Sequence, residues 1–108
     1  MAFYLVQLAY TPEAWAAMRA RPQNRLEAVQ PVAERLGGHI VNKWMAFGEY
    51  DVVAILEMPD NVSAAAFSVA VSAGGAVKGL KTTPLLTMDE GLDVMRRAGG
   101  AQYRSPLA

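Results

Sequence analysis

The sequence predicts a small α+β domain, and three observations predict it. Short apolar runs of strand character alternate with segments of helical period, in the order β, α, β, β, α, β, α. Only three residues separate the two central runs, as in a hairpin. At 108 residues the chain is large enough for one core and too small for two.

Residues 2–10 (AFYLVQLAY) combine aromatic and β-branched side chains and stop at Thr11-Pro12, where proline's set φ and missing N–H suit a first helical turn. Helical spacing follows to Leu36, with Trp15 and Met18 three apart and then Leu26, Val29, Ala33 and Leu36. Pro22 divides this region into a short helix and a longer one. The longer one is expected to start from an Asn24/Glu27 capping box, to kink or restart at Pro31 and to end at Gly37-Gly38.

Residues 39–47 (HIVNKWMAF) and 51–58 (DVVAILEM) form the predicted hairpin around Gly48-Glu49-Tyr50. Pro59 closes its second strand. Asp60 is placed to cap a helix over residues 61–73 that carries Val62, Ala66, Phe67, Ala70 and Val71 and stops at Gly74-Gly75. Residues 77–86 read as an edge strand, because Pro84 donates no hydrogen bond to a ladder and Gly79 weakens it. Thr87 and Glu90 form a capping box for a last helix to about Arg97. The domain is thus residues 1–97, with a tail over 98–108 in which Tyr103 and Leu107 are the expected docking residues. Right-handed crossovers put both main helices on one face of an antiparallel sheet of order four, one, three, two, the ferredoxin-like arrangement.

A sheet with helices on one side and water on the other alternates apolar and polar residues. These strands do not. In the first, Tyr4, Val6 and Leu8 alternate with Phe3, Leu5 and Ala9, and Gln7 is the one obligately polar member. In the third, Val52, Ala54 and Leu56 alternate with Val53 and Ile55. Four strands of about six residues give an outer face of about 400 Å² in projection, the upper end of what a monomer exposes as one apolar patch. A homo-oligomer joined through that face, a dimer or an assembly of dimers, is therefore expected. The competing expectation is that the tail or last helix folds back over it.

Ten Lys plus Arg balance ten Asp plus Glu without a long run of either sign, which argues against nucleic acid or an anionic membrane as the main partner. The absence of cysteine removes disulfides, thiolate metal sites and a cysteine nucleophile, and it fits a reducing, cytoplasmic setting. No basic leader precedes the first strand, and the apolar stretch at 62–71 is about half of a bilayer span, so a soluble protein is expected.

Leu36-Gly37-Gly38, followed by Gly48-Glu49-Tyr50-Asp51-Val52-Val53, resembles the GYD domain family of small bacterial and archaeal proteins. The opening Phe3-Tyr4-Leu5-Val6, the Met58-Pro59-Asp60 corner and the closing Tyr103-Arg104-Ser105-Pro106 are also similar to it. The resemblance implies a dimeric α+β barrel and no particular reaction. The wider set of such barrels includes small enzymes for hydrophobic or aromatic substrates, ligand-sensing modules and stress proteins, so fold analogy does not choose among functions.

Candidate residues are few. Gly48, Tyr50 and Asp51 suit a turn, where a short carboxylate bonds nearby backbone N–H groups; a chemical role would place Tyr50 or Asp51 at a cavity mouth. His39, the one histidine, would serve as acid, base or ligand, against the plainer reading of a strand-end surface residue. A metal would require Glu49, Asp51 or Glu57 to converge on it, which no spacing demands, and neither metal nor cofactor is predicted. Tyr4, Gln7, Trp44 and Lys81 are the candidates for lining a small-molecule site, with Gln7 and Lys81 awkwardly polar within apolar strands. Three functions fit: a homo-oligomer binding a small hydrophobic or aromatic molecule between paired sheets, a cofactor-independent isomerase, decarboxylase or monooxygenase of the same architecture, and a structural protein without a cavity.

Overall fold

The computed structural model describes residues 1–107. Eight elements follow one another: β1 (Ala2–Tyr10), α1 (Pro12–Ala20), α2 (Leu26–Arg35), β2 (His39–Met45), β3 (Val52–Met58), α3 (Asn61–Ala73), β4 (Val77–Leu85) and α4 (Met88–Gly99). The four strands form one antiparallel sheet in the order β2-β3-β1-β4, the expected order read from the other edge. β4, the strand with Pro84, is an edge strand, so the missing N–H costs no interior ladder bond.

The core lies between the sheet and the helices. Tyr4, Val6, Ala54, Leu56 and Met58 from the strands meet Ala33 of α2 and Ala64 and Phe67 of α3. At the other end of β1, Leu8, Tyr10 and Val52 pack against Trp15 and Met18 of α1 and Leu26 of α2. Ser68 and Thr82 share a hydroxyl hydrogen bond of 2.8 Å that ties α3 to β4.

Caps explain several boundaries. Thr11 accepts from Ala14 N–H at 3.1 Å, and Asp60 accepts from Ser63 N–H at 2.8 Å. That bond holds the exposed Asp60 carboxyl below its ordinary range. Thr87 and Glu90 form the expected reciprocal box. The one at Asn24 and Glu27 does not form. Asn24 Oδ1 takes the Leu26 N–H at 3.1 Å, and the Glu27 N–H goes to the Asn24 carbonyl at 3.2 Å, so the chain turns once before α2 begins. α2 runs without a break through Pro31, at the cost of the hydrogen bond that a residue there would give to the Glu27 carbonyl.

β2 ends at Met45, two residues before the expected Phe47, which is 98% exposed at the hairpin tip. Within β2 the register shifts between Ile40 and Asn42, leaving Val41 as an extra residue. The bulge reverses the faces beyond it: Asn42 and Trp44 stand opposite Ile55 and Val53, and Lys43 and Met45 opposite Ala54 and Val52. Of the apolar residues that α3 carries, Phe67 is buried and Val62 is exposed, and Ala64 is the other buried residue of the helix.

α4 does not fold back over the sheet. It extends to Gly99, packs substantially against no other element and leaves Met88, Leu92, Val94 and Met95 exposed. Tyr103 and Leu107 are exposed too, so neither docks on its own chain. The radius of gyration of 17.4 Å exceeds the roughly 13 Å of a compact chain of this length.

Gly37 takes a φ of 89° after α2, the left-handed turn that releases the chain into β2. Gly38 is required for a different reason, since a Cβ there would collide with the Glu57 carbonyl oxygen and the Met58 sulfur of the neighbouring strand. Gly38→Ala is expected to cost about 3 kcal/mol in urea unfolding. Gly79→Ala, with open space around the added methyl, should stay within about 0.5 kcal/mol of the native protein.

Candidate functional site

The polar and apolar candidates separate by strand alternation. Tyr4 points into the helix-covered core at 2% exposure, where its hydroxyl donates to Asn61 Oδ1 at 2.6 Å. Gln7 is three residues on and therefore faces the other way, directly opposite Lys81 on β4 and Val53 on β3. Trp44 lies across Val53 in the same row. Gln7, Lys81 and Trp44 thus share the outer face, and Tyr4 does not join them.

That outer face is apolar through its middle, with Phe3, Leu5, Val53, Ile55 and Leu85 uncovered by any helix. At one end, His39 Nε2 stands 3.5 Å from Glu57 Oε1, its opposite number on β3. Glu57 is thereby committed to His39 and lies rows away from Lys81. Tyr50 and Asp51 sit at the opposite end of β3 from His39, so the three acid-base candidates do not converge. Among the described residues no three His, Asp or Glu side chains are grouped to hold a metal ion.

Asp51 has a defined task. Its Oδ2 accepts the Tyr10 N–H at 2.9 Å, its own N–H donates to the Leu8 carbonyl at 2.8 Å, and its carbonyl accepts from Ala46 N–H at 2.8 Å. One residue therefore closes the β2–β3 loop and fastens it to the end of β1.

The cavities lie on the helix side. A groove of about 700 Å³ runs between α1, the segment joining α1 to α2, and the ends of β2 and β3, bordered by Tyr10, Trp15, Met18, Trp44, Met45 and Asp51. An inner pocket of about 210 Å³ between the sheet, α2 and α3 shares Tyr10, Arg25 and Leu26 with it. The Tyr10 ring meets Trp15 edge-on, with centroids 5.3 Å apart. Burial pushes the Tyr10 phenol above its ordinary range, Arg25 opposes that and Asp51 adds to it. Trp15 and Met18 were legible as core by their spacing. Strand two offered Trp44, together with Asn42 or Met45, as the lining of an apolar pocket, and Trp44 and Met45 do border the groove; nothing in the sequence marked Tyr10 or Arg25 as their neighbours, because the turn before α2 brings Arg25 there.

The sequence profile of the GYD domain matches residues 4–95. No curated protein matches the chain. Among solved structures the chain is similar to FFRP-DM1, whose crystal structure superposes with a TM-score of 0.51 at 12% identity, over 80% of this chain and 100% of that one. At that identity the likeness establishes the shared fold. No helix among the described residues is long and apolar enough to cross a membrane.

Asp51→Ala leaves the buried Tyr10 N–H without its acceptor and is expected to cost about 2 kcal/mol in urea unfolding. Tyr10 predicts an alkaline effect. The unfolded chain's phenol ionises near pH 10, before the folded one, so the stabilising preference is complete below about pH 10 and fades as pH rises through the folded value. Absorbance titration at about 295 nm should show a late tyrosine phase whose amplitude drops in Tyr10→Phe; an unchanged late phase would contradict it.

Proposed function

The chain belongs to the GYD domain family, and from that premise and the uncovered sheet we propose that it is a homodimeric domain holding a small hydrophobic or aromatic molecule between paired sheet faces. The observation that carries this reading is the outer face itself. Phe3, Leu5, Val53, Ile55 and Leu85 form a continuous apolar surface across three strands, and no element of the same chain covers it. A second copy supplies the same surface in self-complementary form about a twofold axis. The dimeric α+β barrel that the family resemblance implies is the same solution.

Two further features support the pairing. α4 is amphipathic, with Met88, Leu92 and Met95 on one side and Asp89, Glu90, Asp93, Arg96 and Arg97 on the other, yet it packs substantially against no element of its own chain. Trp44, Met45 and Phe47 leave large apolar side chains exposed at the hairpin end. Both are surfaces that a partner would bury. Between the sheets, Gln7 and Lys81 side by side would give the enclosed molecule one polar handle in an apolar setting. The separation of His39, Tyr50 and Asp51 weighs against acid-base catalysis.

Native mass spectrometry and sedimentation equilibrium at micromolar concentration test both parts. A dimer or an even-numbered assembly is expected, dissociating to monomer in Ile55→Glu, whose side chain lies on the outer face and outside the core. A native monomer would overturn the pairing. A reproducible small adduct on the assembly, absent from the Ile55→Glu monomer, is expected for the bound molecule; an assembly free of adducts from its own host would remove ligand binding and leave the dimer.

A further inference from the structure

The groove on the helix side combines aromatic, thioether and cationic side chains. Its walls are aromatic and thioether side chains, Tyr10, Trp15, Met18 and Met45, and its rim carries three cations, Arg19, Arg25 and Lys43, against one carboxylate, Asp51. The whole chain balances ten cations with ten acids, so this is a local concentration of positive charge over an apolar floor. None of the three cations is in an ion pair among the described residues. Asp51 has one oxygen committed to the Tyr10 N–H.

The elements around the groove also assign it an orientation. Arg25 and Tyr10 border both the open groove and the inner pocket, so they stand at the junction between them. Arg25 Nη1 donates to Gln23 Oε1 at 3.2 Å, a contact between exposed groups that leaves other guanidinium N–H groups free to donate. The Tyr10 hydroxyl has no hydrogen-bond partner among the described residues, although its ring is buried against Trp15. A volume of about 700 Å³ is that of a site for a small organic molecule.

We infer that this groove is a binding site for a small aromatic carboxylate, the ring held among Trp15, Met18 and Met45 and the carboxylate received by Arg25 and Lys43, with the Tyr10 hydroxyl as a further donor. Aromatic walls favour a flat apolar body, and a cationic rim selects the anion over its neutral analogue. Trp15, Met18 and Arg25 lie on the opposite side of the sheet from Phe3, Leu5 and Ile55 of the proposed dimer face, and the groove meets the surface of the proposed pairing only at Trp44 and Met45 of the hairpin end.

The test compares 2-naphthoate with 2-naphthamide, the same ring system with and without the charge, by two-dimensional ¹H–¹⁵N NMR. The chain has two tryptophans, and both border the groove; Trp15, on the helix side, reports on it directly, and Trp44, at the hairpin end, reports on its outer border. Naphthoate should shift the Trp15 indole signal in a saturable way and bind at least about fivefold tighter than the amide, as expected for two partly exposed cations near one anion. The Arg25→Gln/Lys43→Gln double variant, altered at two exposed positions, should reduce that ratio to about one while the amide's affinity holds. Equal binding of the two probes, no shift at either indole, or a ratio that survives the double variant would each overturn the inference. So would an indole shift that follows protein concentration rather than naphthoate, since the groove would then be filled by a second copy, for example by its acidic, apolar α4.

Discussion

The structure depends on what β1 must satisfy at once. It is an interior strand, hydrogen-bonded to β3 on one side and β4 on the other, and its two faces are both apolar. Tyr4, Val6 and Leu8 draw the helices onto one face, which forms the core. Phe3 and Leu5 cannot be covered by the same helices, because alternate side chains leave a strand in opposite directions. The helix layer is thus complete in one chain and the sheet is covered on one side only.

Other features follow from the way the end of β1 is secured. Asp51 ties the hairpin loop to Tyr10 and Leu8, and this brings the end of β2 alongside α1. The bulge at Val41 then decides which residues meet there, sending Lys43 and Met45 to the helix side and setting Trp44 opposite Val53 of the outer face, at the end of the sheet where it also borders the groove. A one-residue insertion in an edge strand thereby determines the chemistry of two surfaces. The turn at Asn24 acts similarly from the other wall, setting Arg25 and Leu26 over the junction of the groove and the inner pocket.

α4 presents a different balance. Its capping box and dipole-matched charges, acidic in the first turn and basic in the last, give it local stability without substantial packing on another element. The apolar side nevertheless remains in water, and the extended shape of the chain reflects it. Such a helix is unfavourable in isolation, where burial of an amphipathic face supplies most helical stability.

The sequence by itself determined the features written in short-range chemistry. Asp60 and Gly74 bound α3, Thr87 and Glu90 start α4, Pro84 marks an edge strand, and the doubled apolar alternation marks a sheet with two faces to cover. Each depends on residues a few positions apart, whose capping bonds, φ limits and strand period are set locally. Only the tertiary structure decided the grouping of the candidate residues. Tyr4 parted from Gln7, His39 from Asp51, and Tyr10 joined Arg25 and Met45 across the fold. Those neighbours come from different elements, and their meeting turns on a bulge and on the Asn24 turn. A bulge adds one unpaired residue with no local signature, and the turn replaced a capping box by a competing side-chain bond of similar strength.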